Sequence, residues 1–280
     1  ISNGTEKNTR NIAYAMSMLC APSIELYRKH LNGTGHEGLV KDTAYLQLVR
    51  NAKDATLEDL AYQIRLQKGA KIEIVKGSTL RSLEPALSPK FEAGIVIHDV
   101  ARCLSPGRLS SVLAMKAKEQ GAEIIQDQIT KIHRTDNSWF LKGKISKYTT
   151  QSLVISAGVW SKELLSNIGV SVPLMTECGY HIHCAEPEIN VNNSVVFPEG
   201  GVIASLMEGG IRIAGQAEFG PIDAPLNLKR KSILSAIALE MFPDISLKKT
   251  KVWMGHRPSF PDSIPVIGNV PNKPNLFVNF

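Results

Sequence analysis

The stretch LVISAGVWSKELLSNIG, residues 153–169, limits the folds open to this chain more than any other. Leu153, Val154 and Ile155 are consecutive apolar residues, as in a strand covered on both faces. The chain then turns at Ala157–Gly158 into a helix with Leu164, Leu165 and Ile168 inward. Small residues at the end of a buried strand let backbone approach a ligand closely, beside the positive end of the following helix. Tight helix–strand packing accounts for the same residues equally well.

The rest of the chain keeps helix and strand signals in one sequence. NTRNIAYAMSMLCAPSIELYRKHL reads as helical with a break at Pro22, and TAYLQLVR as a strand. TLEDLAYQIRLQKG predicts a helix capped by Thr56 with Asp59 three residues on, an inner face of Leu57, Leu60, Ala61 and Ile64, and an exit at Gly69. KIEIVKG alternates as a strand does. SPGRLSSVLAMKAKEQG predicts a helix with Ser105 as cap, Pro106 in the first position and Gly121 at the exit, followed by extended chain through AEIIQDQITKIHR. From about residue 172 to 217 alternating strands dominate, with a hairpin turned at EGGI (208–211). A helix over 227–241 precedes the last strands. This order predicts a mixed α/β chain in two structural parts.

Composition removes several function classes. Apolar residues make up 43% and charged residues 21%, which is globular rather than disordered. The net charge of +6 is scattered, densest at LKRK (228–231) and LKKTK (247–251), and aromatics do not interleave with it. A nucleic-acid binder needs a coherent basic face, so none is expected. Four cysteines without a C-x-x-C form no disulfide framework and fit a reducing compartment. No apolar run reaches the ~18 residues of a membrane span.

Three local patterns invite chemistry. GTGHEG (Gly33, Gly35, Gly38) is a literal G-x-G-x-x-G, but a helix precedes it and a strand follows, the reverse of a dinucleotide site. It reads as a helix-exit turn. In CGYHIHC, strand alternation sends His181 and His183 one way and Cys178 and Cys184 the other, so the four cannot converge on one ion and no metal is expected. In WMGHRPSFPDSIPVIG, Arg257 sits among Pro258, Pro261 and Pro265. A guanidinium fork held on stiff backbone matches a carboxylate in two parallel hydrogen bonds. A surface arginine in a proline-rich loop is the other reading.

Taken as a set, SPGRL, LVISAGVWSKELL, GYH, GGIRIAGQAEF and WMGHRPSFPDSIPVIG followed by PNLFVNF resemble, in this order, the FAD-dependent D-amino-acid oxidase superfamily. The bacterial D-amino-acid dehydrogenase branch, where SLEPAL (82–87) also fits, is the most similar. The resemblance implies a Rossmann-like FAD-binding domain in separate chain segments and a substrate domain with a large mixed, mostly antiparallel sheet. Its implied layout is a helical and substrate-domain segment at 1–98, part of the FAD domain at 99–170, the substrate sheet at 171–256, and a return to the FAD domain at 257–280. It implies Ile129 on the strand passing the adenosine part of FAD, and Ala157 and Gly158 against the cofactor. Pro265 to Gly268 would line the flavin, Arg257 would clamp the substrate carboxylate, and Tyr180 would sit near the substrate pocket. Cys178 stands where a basic residue often precedes GYH, and His256 where a bulky apolar residue usually precedes RP. Both bear on the pocket and hence on substrate preference.

The implied reaction is oxidative deamination of D-amino acids: hydride passes from Cα to flavin N5, and the imine hydrolyses to an oxo acid and ammonia. Electrons leave to oxygen or a quinone. A cytoplasmic protein is expected, or one peripheral on the inner face of the membrane. A flavoenzyme acting on glycine, sarcosine or proline-type secondary amines and a non-catalytic ligand-binding relative remain alternatives. The superfamily's strand–GxGxxG–helix and its Gly/His-rich segment after the final strand have no counterpart here, so the expectation is an internal fragment, inactive by itself.

Overall fold

Pro22 divides the first helical stretch as its ring requires: α1 runs Glu6–Cys20 and α2 runs Ser23–Leu31 in the computed structural model, which describes residues 4–280. The glycines of GTGHEG form the exit from α2, where the Gly33 amide donates to Glu37 Oε1 at 2.8 Å, and the chain passes into strand β1 (Val40–Val49). Helix α3 (Leu60–Gln67) begins later than its sequence suggests. Asp59 takes the cap position, while Thr56 Oγ1 accepts from the Glu58 amide in the turn before it. Its buried residues are Tyr62 and Ile64, not the full Leu57–Leu60–Ala61–Ile64 set, because Leu57 precedes the helix and the face turned inward carries Tyr62.

Strand β2 (Ile72–Lys76) leads directly into a short helix, α4 (Gly77–Leu83), and then β3 (Ala93–Cys103). Helix α5 (Pro106–Glu119) follows with Ser105 at its cap and Pro106 in the first turn. A three-stranded antiparallel sheet comes next, from β4 (Ile129–Thr135), β5 (Ser138–Gly143) and β6 (Lys147–Thr150). Strand β7 (Leu153–Ile155) turns at Ala157–Gly158 into α6 (Ser161–Ser166). Then come β8 (Met175–Cys184), β9 (Ser194–Phe197), β10 (Val202–Met207) and β11 (Gly210–Phe219), with the expected hairpin joining the last two. Helix α7 (Leu228–Met241), capped by Asn227, precedes β12 (Thr250–Ser259), β13 (Ile267–Asn269) and β14 (Leu276–Asn279).

Eight strands form one mixed sheet in the order β12-β8-β11-β10-β9-β1-β3-β2, antiparallel except for β1 with β9. Leu234, Ala238 and Met241, one face of α7, pack on Ile182, Ile211 and Ile213, and that face of the sheet holds the main core. The opposite face carries the side chains that alternate with these, including Tyr45, Val196, Ile203, Ala214 and His181. β13-β14-β7 forms a separate three-stranded sheet, with β14 and β7 parallel. Its core joins Ile155, Leu165, Leu276 and Val278 to Ile132 and Trp139 of the β4–β6 sheet. Strands β3 and β12 continue across the expected boundaries at 98/99 and 256/257, so the large sheet reaches Cys103 and Ser259.

Candidate active site

Two places in the fold collect the residues singled out in the sequence. The first is a cleft of about 690 Å3 between β4 and β7, lined by Ile129, Ile132, Leu141, Leu153, Ala157 and Trp160 among others. Within its sheet β7 pairs only with β14, so among the described residues one edge of β7 has no strand partner. Val154, 58% exposed, departs from the expectation of a strand covered on both faces. The Ala157 amide is held by Ser161 Oγ at 3.1 Å, which fixes the turn at the start of α6. Gly158 adopts φ 54°, a conformation that costs an L residue about 1–2 kcal/mol. A Cβ placed on it would meet nothing within 4 Å, so bare backbone faces open space. At the rim, Asp127 accepts hydrogen bonds from the Ile145 and Ser146 amides at 3.1 and 3.0 Å and from the Tyr148 hydroxyl at 2.9 Å. Burial opposes its charge, yet these donors hold its carboxyl below the usual range.

The second place is the outer end of the large sheet, where β12 forms the edge. Arg257 lies inside this strand rather than in a loop: its register partner is Glu177, and Pro258 pairs with Thr176. Proline is tolerated in a sheet at such an edge. Arg257 Nη1 donates to Glu177 Oε1 at 3.0 Å, and Ser259 Oγ donates to Glu177 Oε2 at 2.8 Å. The guanidinium lies across Gly179. A Cβ there would come within 2.9 Å of Arg257 Nε and Nη2, so glycine lets the guanidinium lie where it does, and a larger residue would displace it. Arg257 borders a cavity of about 300 Å3 with Tyr45, Val196, Ile203, Ala214 and Gly215. Glu177 borders a neighbouring cavity of about 320 Å3 with Ser259, Phe260, Pro265 and Phe280. Pro265 therefore stands near the arginine pair. Gly268 lies farther along in β13, where it pairs with Val278.

Tyr180 is not brought to this face. Side chains alternate along β8, so Glu177, Gly179, His181 and His183 point one way and Cys178, Tyr180, Ile182 and Cys184 point into the core. Tyr180 is 2% exposed and donates its hydroxyl to Glu218, which Arg230 of α7 also binds at 2.7 Å. Burial and then the Glu218 carboxylate push the Tyr180 pKa up to about 12. In place of the open pocket position expected for it, Tyr180 lies in the core and ties β8 to β11 and α7. Cys178 and His256 occupy register-partner positions, and Sγ lies 3.5 Å from Nδ1. The two departures from the superfamily pattern thus meet each other, with Cys178 in the core rather than beside Arg257, and no alternation rule could have paired residues 78 positions apart.

Relatives and solved structures agree with this architecture. A D-amino-acid oxidase of Bradyrhizobium diazoefficiens is 28% identical over 274 residues, covering 96% of this chain and 65% of the relative. A D-amino acid dehydrogenase of Vibrio atlanticus is 29% identical over 258 residues, covering 80% of this chain and 61% of the relative. The chain thus spans less than two thirds of the length of either. The structure of L-proline dehydrogenase from P. horikoshii superposes with a TM-score of 0.78 at 18% identity, over 98% of this chain and 73% of that one, which establishes the shared fold. The family model described as FAD dependent oxidoreductase matches residues 2–280. The chain belongs to that family.

FAD is the cofactor of this FAD dependent oxidoreductase family. The cleft between β4 and β7 fits such a group, because it combines apolar walls, a strand edge unpaired among the described residues and the small side chains of Ser156 and Ala157 within the size range of ligand sites. His181 and His183 point to the face away from Cys178 and Cys184, as alternation requires. No helix among the described residues is long and apolar enough to cross a membrane.

Proposed function

We propose that the protein, at its natural length, catalyses FAD-dependent oxidative deamination of D-amino acids. The observation that carries this reading is Arg257, a permanent cation fixed on an edge strand by Glu177 beside an apolar cavity. The names of the D-amino-acid oxidase and dehydrogenase relatives support it.

Arg257 holds the substrate carboxylate through the guanidinium edge that Glu177 leaves free. The cavity beside Tyr45, Val196, Ile203 and Ala214 receives the substrate side chain. Ile129, Ala157 and Gly158 would hold the adenosine end of the cofactor, and Pro265 and Gly268 would line its ring end. Bound FAD supplies the two-electron acceptor for the hydride on Cα. An amine that enters neutral needs no strong base, so the protein's contribution is orientation, worth several kcal/mol of barrier. Water converts the imine to an oxo acid and ammonia. Electrons leave to oxygen or a quinone, and the site of action is the cytoplasm or the inner membrane face.

A substrate panel of D- and L-amino acids, glycine, sarcosine and proline on the full-length protein tests this. Turnover of D-amino acids, with kcat/KM lowered at least a hundred-fold in Arg257→Ala, is the expected result. Unchanged kinetics in that variant would remove the clamp assignment, and preference for secondary amines would move the substrate class.

A further inference from the structure

The Arg257 site contains a second charge. Glu177 is less exposed than its partner, 21% against 57%, and both of its oxygens are engaged, one by Arg257 Nη1 and one by Ser259. It is therefore the fixed member of the pair, on the penultimate strand, and the arginine is the member with a free edge. Gly179, two residues along on the same face of β8, leaves room for that edge to lie flat. The described residues lining the cavity beside Arg257 carry no other charge, and most are apolar. A ligand with one carboxylate satisfies the guanidinium and places its remaining atoms against apolar walls. One with a second carboxylate brings that charge into a cavity with no second cation and with Glu177 3.0 Å from the arginine that borders it.

We propose that Glu177 is a positioning and specificity residue of this site: it orients Arg257 through Nη1 and, by its own negative charge, selects amino acids with a single carboxylate. This rests on the reading of Arg257 as the carboxylate clamp. Ser259 is part of the same device, since its hydrogen bond keeps Glu177 from turning away.

Glu177→Gln keeps an acceptor for Arg257 and removes the charge, and Glu177→Ala removes both. In the full-length protein, Glu177→Gln raises kcat/KM for D-aspartate and D-glutamate relative to D-alanine and D-valine by about ten-fold, the size of one like-charge interaction at several ångströms in a partly solvated site. In the unaltered protein the same discrimination narrows as salt is raised, because screening weakens the repulsion. Glu177→Ala lowers kcat as well, through loss of the Arg257 orientation. Calorimetric titration with butyrate and with succinate reads the same preference without turnover, and thermal melts confirm that the variants fold. An unchanged acidic-to-neutral ratio in Glu177→Gln overturns the proposal even where Arg257→Ala is impaired. No effect of Arg257→Ala on either turnover or butyrate binding overturns the clamp reading, and this proposal with it.

Discussion

The large sheet and the small β13-β14-β7 sheet prepare their sites by opposite means. At the edge of the large sheet the groups on offer are charged side chains, Arg257 and Glu177, at paired positions of β12 and β8. At the small sheet the surface on offer is backbone itself, with Ala157 and Gly158 carrying almost no side chain and one edge of β7 unpaired among the described residues. The contrast suits the two kinds of ligand proposed for them. A substrate carboxylate is a compact charge that a fork can grip. A long dinucleotide needs close main-chain approach along its length.

The sharpest way to break this comparison is to exchange the two consequences. Arg257→Ala should cost roughly 3 kcal/mol of transition-state binding yet leave the flavin content of the purified full-length protein unaltered. Gly158→Val should do the reverse, lowering flavin content read from visible absorbance, with about 1–2 kcal/mol of added strain from its positive φ. Flavin lost from the arginine variant would show that the two sheets do not divide the work.

A pH series probes the open face of the large sheet. Burial, with Arg212 and His183 adding like charge, lowers the His181 pKa to about 4 from 6.5. Between those values the unfolded chain takes up a proton that the folded chain refuses, so stability falls as pH drops through that window. After discounting for partial exposure, the loss is about 2 kcal/mol, and it should flatten in His181→Phe, which keeps a ring against Trp253. Denaturant midpoints at pH 7 and pH 4.5 measure it. Glu218, held below its ordinary range by Tyr180 and then Arg230, adds its own loss only at lower pH, as it becomes protonated.

The smallest effect belongs to the core face of the same strand. Tyr180→Phe leaves Glu218 paired with Arg230 and should cost about 1 kcal/mol in thermal or denaturant melts. KM should not change. A KM shift as large as that of Arg257→Ala would mean that the two faces of β8 are coupled, contrary to the alternation that separates them.

Much of the chain order was legible because its signals are local. Proline at 22, Ser105–Pro106, Gly121 and the Glu208–Gly209 turn mark element ends by their own backbone chemistry. Strand β3 has no such signal, although AGIVIHDVARC lies at the centre of β1, β3 and β2. Its buried run Ala93–Ile97 lacks period-two alternation, and a bulge with Asp99 at φ 56° interrupts the remainder of the strand. The placement of Arg257 in a strand was hidden for a related reason: three prolines nearby argue for a loop, and only the edge position of β12 makes one of them compatible with pairing. Ile129 and Ala157 follow from the resemblance, and the fold brings both to one cleft, whereas Tyr180, expected near the substrate pocket, packs in the core.

By itself, then, the sequence determined which segments are helix or strand where caps, prolines and periodicity speak, and it singled out an arginine on stiff backbone and a small-residue turn after an apolar strand. It also determined which residues of β8 share a face, because alternation needs no partner. Tertiary structure alone decided which of those faces is core, that Glu177 and Ser259 hold Arg257, and that Cys178 meets His256. Those outcomes depend on register between strands joined by 65 or more residues of intervening chain, and register is a property of packing that no local pattern contains.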